Sequence, residues 1–203
     1  MLNIFNSRKK DTKFLFSHVI KQVLTHFGNQ NNAWQQCLGF LATNQNNHFV
    51  SMFVLTTLES IVRRRWIGML GNEKVFEKLI EKYEWYQKED LYILYTFSKQ
   101  AEIRSQLHEY LMKRHESIPS YVRNKTIKIV VDIAASDWPH FYPDFFDQVL
   151  DLLRRKETLI LGLSMLLITS EELATPRDNV SSQRKEELKR LLNSQVPIVI
   201  FLY

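Results

Sequence analysis

An all-α fold is predicted for this 203-residue chain by three observations. Turn residues are scarce, with five glycines and five prolines, about 5% where an average protein carries roughly 12%. Apolar residues recur at i, i+3, i+4 and i+7 in one segment after another, the spacing of a buried helical face. No segment reads as a credible strand. Together these features exclude sandwiches and barrels, which need frequent turn punctuation, and also collagen-like and linker-like chains.

Residues 1–11 are polar and irregular. From Lys13 a first helix is expected, with Phe14, Phe16, Val19, Ile20, Val23, Leu24 and Phe27 on its buried face and Gly28-Asn29 as its stop. Asn32 is placed to cap a short helix carrying Trp34, Cys37, Leu38, Phe40 and Leu41. A long helix follows over about 47–66. Phe49, Met52, Phe53, Leu55, Leu58, Ile61 and Val62 form its buried stripe, and Ser51, Thr57, Glu59, Ser60, Arg63 and Arg64 lie largely opposite.

Helical pattern resumes at about Ala101, with Ile103, Leu107, Tyr110 and Leu111. Pro119 sits where a first-turn proline belongs and opens a helix with Tyr121, Val122, Ile127, Val130, Val131, Ile133 and Ala134. Asp137-Trp138-Pro139 ends it, because the residue before a proline is pushed out of the helical region. Pro143 begins the next, with Phe145, Phe146, Val149, Leu150, Leu152 and Leu153 on its apolar face. An apolar helix over 158–173, a proline-containing loop over 174–180 and a charged helix over 183–196 capped by Ser182 complete the series.

These helices fall into antiparallel pairs starting near residues 33, 101, 140 and 182. The last two intervals, about 39 and 42 residues, lie near the ~40–47 typical of HEAT and armadillo repeats. The first, about 68, returns to about 41 once residues 72–98 are set aside. That stretch carries Phe76, Tyr83, Trp85, Tyr86, Tyr92, Tyr95 and Phe97, an aromatic density about twice that of the chain as a whole. The expected organisation is an irregular N-terminus (1–11), first HEAT-like helices (12–71), an atypical insertion or non-native stretch such as a translated intron (72–98), and further HEAT-like helices (99–203).

Charge and chemistry narrow the function. A net charge of +5 is mild and interleaved with acids except at Arg63-Arg64-Arg65 and Arg154-Arg155-Lys156, whereas binding nucleic acid by counterion release takes a clustered basic stripe. Nucleic acid is therefore a disfavoured partner. The lone Cys37 excludes a disulfide framework or a cysteine-rich zinc site, and it reads as a buried small hydrophobe. The longest apolar stretch, 159–168, falls short of the ~20 residues a membrane span needs, and no secretory signal pattern opens the chain; a soluble intracellular protein is expected. Six scattered histidines and five isolated glycines form no metal or phosphate motif. Glu171-Glu172 point about 100° apart on a helix and cannot face one substrate; they read as a solvated helix end or an intra-repeat contact. No enzyme, metal or cofactor is expected.

The helix junctions are the distinctive parts: Ala33-Trp34, Arg65-Trp66, the Tyr121-to-Lys125 run, Asp137-Trp138-Pro139-His140-Phe141-Tyr142-Pro143-Asp144-Phe145, and Thr169-Ser170-Glu171-Glu172-Leu173. Their order and spacing resembles the amino-terminal region of the importin-β/exportin superfamily of nuclear transport receptors. There a W-P-x-x-(W/Y)-P-x-(F/L) junction precedes a helix pair ending in S-E-E. The likeness covers about 12–71 and 99–196. It implies a right-handed HEAT-repeat α-solenoid of about eight or nine antiparallel helices, with Trp34, Trp66, Trp138, Pro139 and Pro143 as junction residues that stop, start and wedge the helices. Residues 1–11 replace the usual first helix, 72–98 have no counterpart, and the apolar ending leads us to expect an incomplete protein or fragmentary gene model.

The resemblance also implies a function: nuclear export of a protein cargo together with Ran-GTP. It further implies shuttling between nucleus and cytoplasm through the nuclear pore and contact with nucleoporin FG repeats. The family member most resembled carries actin, largely as profilin-actin. By order, the helices over 47–66, 119–136 and 158–173 are the inner ones. Their cations Arg63, Arg64, Arg123, Lys125 and Lys128 are the candidate Ran contacts, chosen on helix order and charge alone. The alternatives are a generic HEAT-repeat scaffold and a Ran-binding remnant without export activity.

Overall fold

Helices pack on helices in two layers throughout the computed structural model, which describes residues 22, 26–30, 32–43, 47–66, 88–174 and 181–201. In chain order these residues form α1 (Ala33–Thr43), α2 (His48–Arg65), α3 (Lys88–Arg114), α4 (Ser120–Asp137), α5 (Phe145–Arg154), a 3-10 turn (Lys156–Thr158), α6 (Leu159–Ala174) and α7 (Ser182–Phe201). Residues 22 and 26–28 are also helical. The irregular start over 1–11, the apolar face from Phe14 to Leu24, residues 72–87 and the loop 175–180 lie outside the described residues.

Successive helices pair as α1–α2, α3–α4 and α5–α6. The pairs then stack: α2, α4 and α6 lie side by side in one layer, and α1 meets α3 in the other. The α2–α4–α6 layer is the more closely packed of the two. This is the all-α, HEAT-like arrangement expected from the repeat spacing, and among the described residues there is no strand.

Local chemistry sets the boundaries. Asn47 caps α2, its Oδ1 accepting the Val50 N–H at 3.2 Å, which satisfies one of the donors a helix start leaves open. Pro119 precedes α4, and Trp138 leaves the helix in an extended conformation (ψ 137°); the Trp138–Pro139 peptide is cis. In α5 the residues Phe145, Phe146, Val149, Leu150, Leu152 and Leu153 are all buried, each contributing roughly 1.5–3 kcal/mol if fully withdrawn from water. Gly162 lets α6 lie against α5, since a Cβ there would sit 2.9 Å from the Leu153 backbone nitrogen.

Several expectations change. α3 begins at Lys88 rather than near 101, so residues 88–98, read as part of an insertion, are the opening turns of that helix. Phe145 is the first residue of α5, with Pro143 two positions ahead and Asp144 at the cap. Ser181, one residue before the expected Ser182, caps α7 by accepting the Arg184 N–H at 3.2 Å, and α7 continues through Pro197 to Phe201.

The stripe expected on α2 is also redistributed. Phe49 and Phe53 are exposed (87% and 37%), whereas Ser51, Thr57 and Glu59 are buried. α2 is flanked by both α1 and α4, so burial follows its two neighbours rather than one hydrophobic sector. Helix packing absorbs the polar residues: the Thr57 hydroxyl donates to the Phe53 carbonyl at 3.1 Å. Phe40, Tyr121, Ile160, Leu163 and Leu167 are likewise exposed apolar residues.

Candidate functional site

The α2–α4–α6 layer carries the candidate cations, and their spacing decides which of them meet. Glu59 and Arg63 are one turn apart on α2 and form an ion pair. Lys125, Lys128 and Asp132, at i, i+3 and i+7, share one face of α4. Across the interface, Lys125 pairs with Glu59 and Arg63 Nε donates to Asp132 Oδ2 at 3.0 Å. One helix further on, Lys128 pairs with Glu172 of α6. The result is a ladder of ion pairs running across all three helices.

Charge on the ladder balances. Arg63, Lys125 and Lys128 face Glu59, Asp132 and Glu172. The acids are the deeper partners: Glu59 is 9% exposed against 33% for Arg63, and Glu172 is 20% exposed against 31% for Lys128. The cationic groups therefore stand outermost, anchored from beneath.

The remaining two candidates lie apart from this network. Arg64 is exposed and makes no ion pair among the described residues. Arg123, expected as an exposed cation, is half-buried on another side of α4; its Nη1 donates to the His115 carbonyl at 3.3 Å, and its Nε is buried with no partner. The geometry thus joins Arg63, Lys125 and Lys128, leaves Arg64 in solvent, and turns Arg123 toward the α3–α4 connection.

At the end of α4 a second polar cluster lies deep in the stack. Asp137 is buried. Its Oδ1 accepts the Trp66 indole N–H at 2.8 Å, and its Oδ2 accepts from Arg104 Nη1 at 2.9 Å. Gln100 donates to the Trp66 carbonyl at 2.9 Å. Burial pushes the Asp137 carboxyl above its ordinary value despite these donors and the nearby Arg184. Arg184 of α7 reaches back to donate to the Ala135 carbonyl at 3.2 Å and to the Trp138 carbonyl.

The junction aromatics complete that cluster. Trp138 stacks on Phe146 with ring centroids 5.9 Å apart and meets Phe145 edge-on. The Arg104 guanidinium lies 5.0 Å from the Tyr142 ring centroid, and burial pushes the Tyr142 phenol up to about 12. Trp34, Trp66 and Trp138 are all buried, Pro139 is half-buried and Pro143 exposed. Asp137, Arg104, Arg184, Asp132 and Glu172 were not singled out from the sequence as partners in these networks. Only Glu59→Arg63, at i,i+4, carried a local signal.

Reactive chemistry is sparse. Cys37 is fully buried and its thiol is pushed up to about 12 by desolvation, far from the low-pKa, accessible state of a nucleophile. No group of three metal-ligating side chains occurs among the described residues. No helix among them is long and apolar enough to cross a membrane.

The chain is 37% identical to mouse and human exportin-6 and 36% identical to exportin-6-B of Xenopus laevis, in each case over 97% of its own length. Over nearly its whole length the chain is similar to exportin-6. It spans about 14% of the length of these relatives. The family described as Exportin 1-like protein matches residues 119–203, the part holding α4 to α7 and Asp137 itself. No solved structure matches the chain.

Proposed function

We propose that this exportin-6 homologue acts in nuclear export, binding the GTP form of Ran through the α2–α4–α6 layer as part of a carrier for protein cargo. The observation that carries the proposal is the 37% identity to exportin-6 over 97% of the chain. The layer supports it physically: Arg63, Arg64, Lys125 and Lys128 lie on the helices expected to line the inner surface, with their charged heads outermost. An acidic protein surface is the partner such heads fit. Arg123, half-buried on another side of α4, donates to the His115 carbonyl in the α3–α4 connection.

Actin, as profilin-actin, is the cargo proposed for the complete carrier, with shuttling between nucleus and cytoplasm and contact with nucleoporin FG repeats at the pore. Binding is reciprocal in such a carrier: if cargo and Ran favour the same solenoid curvature, each raises the affinity of the other. No bond is made or broken by the receptor.

The test is direct. The 203-residue chain is titrated with Ran loaded with a non-hydrolysable GTP analogue and, separately, with GDP. Preference for the GTP form by about tenfold or more, some 1.4 kcal/mol, is expected. Equal affinity for both forms, or none for either, would leave a HEAT-repeat scaffold as the better reading. The internal neutralisation of three of the five candidate cations is the feature that favours that second reading.

A further inference from the structure

We infer that Glu59 and Glu172 act as internal competitors for the acidic partner, so that the α2–α4–α6 face is held in a self-neutralised state which partner binding must exchange. The inference rests on the partner proposed above and concerns what regulates its affinity. Three observations carry it. Each ladder acid bridges or pairs a candidate contact cation: Glu59 holds both Arg63 and Lys125, Asp132 holds Arg63, and Glu172 holds Lys128. Each of those cations is still 20–33% exposed, so an incoming carboxylate has access to the group that the internal acid already occupies. Three of the four pairs bridge different helices, so their occupancy also ties α2 to α4 and α4 to α6.

The physics of exchange follows from this arrangement. The part-exposed Lys128–Glu172 pair contributes little on its own. Glu59 is buried, but the cations it holds are reachable, and because the internal carboxylate already satisfies them the net gain from an external one is small. Freeing the cation raises that gain, because the partner's carboxylate then meets an uncompensated charge. Glu59 is the strongest competitor, since one carboxylate occupies two cations on two helices.

The experiment uses the complete 203-residue chain and Ran in its GTP-analogue form at two salt concentrations. Glu59→Gln and Glu172→Gln keep side-chain size; the first frees Lys125 and leaves Arg63 with Asp132 alone, and the second frees Lys128. Glu116→Gln, an exposed acid in the α3–α4 connection away from the ladder, adds the same net charge and serves as the control. The inference expects Glu59→Gln to bind about fivefold tighter than wild type at low salt, Glu172→Gln about twofold tighter, and Glu116→Gln unchanged. The gain should shrink at high salt.

Wild type that binds, with ladder variants no tighter than the control, overturns the competition and leaves the Ran reading standing. Ladder variants that bind more weakly overturn it as well, because the acids then position the cations instead of occupying them. No wild-type binding but measurable binding by Glu59→Gln supports it. No binding by any variant overturns both readings. Circular dichroism melts accompany each titration, and if Glu59→Gln does not fold, the more exposed Lys128–Glu172 rung is read by the same criteria.

Discussion

The Asp137 cluster and the ladder are both built from carboxylates facing cations across helix pairs, yet their surroundings differ. Asp137 is 6% exposed and its partner Arg104 14%, against 20% and 31% for Glu172 and Lys128. The cluster also recruits an indole N–H, a guanidinium over a ring, and an arginine from α7. The ladder is built from ion pairs. A buried charge deprived of its partners is strongly destabilising, while a solvent-screened pair is worth little. The cluster therefore sets how the repeats are joined. The ladder is free to serve binding.

The sharpest way to break this contrast is to remove Asp137. Asp137→Ala leaves Arg104 and the Trp66 indole without their acceptor, and should cost about 3–5 kcal/mol, read from the urea midpoint. A loss below that of a ladder variant would erase the distinction. Trp66→Phe keeps the ring volume but takes one donor from a buried carboxylate, with an expected cost of about 1–3 kcal/mol. Hydrogen exchange should then show increased opening where α2, α3 and α4 meet.

Acidity sharpens the contrast from another side. Because burial raises the Asp137 pKa in the folded chain, the folded state binds its proton more readily than the unfolded one. The stability this group supplies is complete below its ordinary value of 3.8 and is lost as pH rises through the raised folded value. Wild type should accordingly gain on Asp137→Asn as pH falls from neutrality toward 4, in paired denaturation curves. A constant difference would mean that the carboxyl titrates as it does in the unfolded chain.

The smallest effect belongs to the ladder. Lys128→Met should change stability by less than about 1 kcal/mol, and the change should fade in high salt. Its effect on Ran affinity should be the larger of its two consequences. A loss of stability comparable with Asp137→Ala would show that the ladder is a structural clamp.

How much of this was legible in the sequence varies by element. The buried face of α5 reads completely, because its six buried residues repeat at helical spacing, although its start lies two residues beyond Pro143. The Trp138-Pro139 junction reads from backbone chemistry alone. α2 reads as a helix but not as a packed one. Its flanking helices bury Thr57 and Glu59 and leave Phe49 exposed, which no single-helix pattern reveals. The pairs Lys128–Glu172 and Trp66–Asp137 join residues 44 and 71 positions apart, beyond any local rule, whereas Glu59–Arg63 falls within the i,i+4 rule.

The amino-acid sequence by itself determined that the chain is helical, where most helices stop, which pairs repeat, and which tryptophans mark the junctions. These follow from spacing, proline geometry and capping, all of which act over a few residues. Tertiary structure alone decided that three candidate cations are already occupied, that Arg123 turns to the α3–α4 connection, and that Asp137 is the buried hub of its junction. Those outcomes depend on how the α2–α4–α6 layer stacks. Electrostatic pairing acts through space, and the stacking brings together charges that the chain keeps far apart.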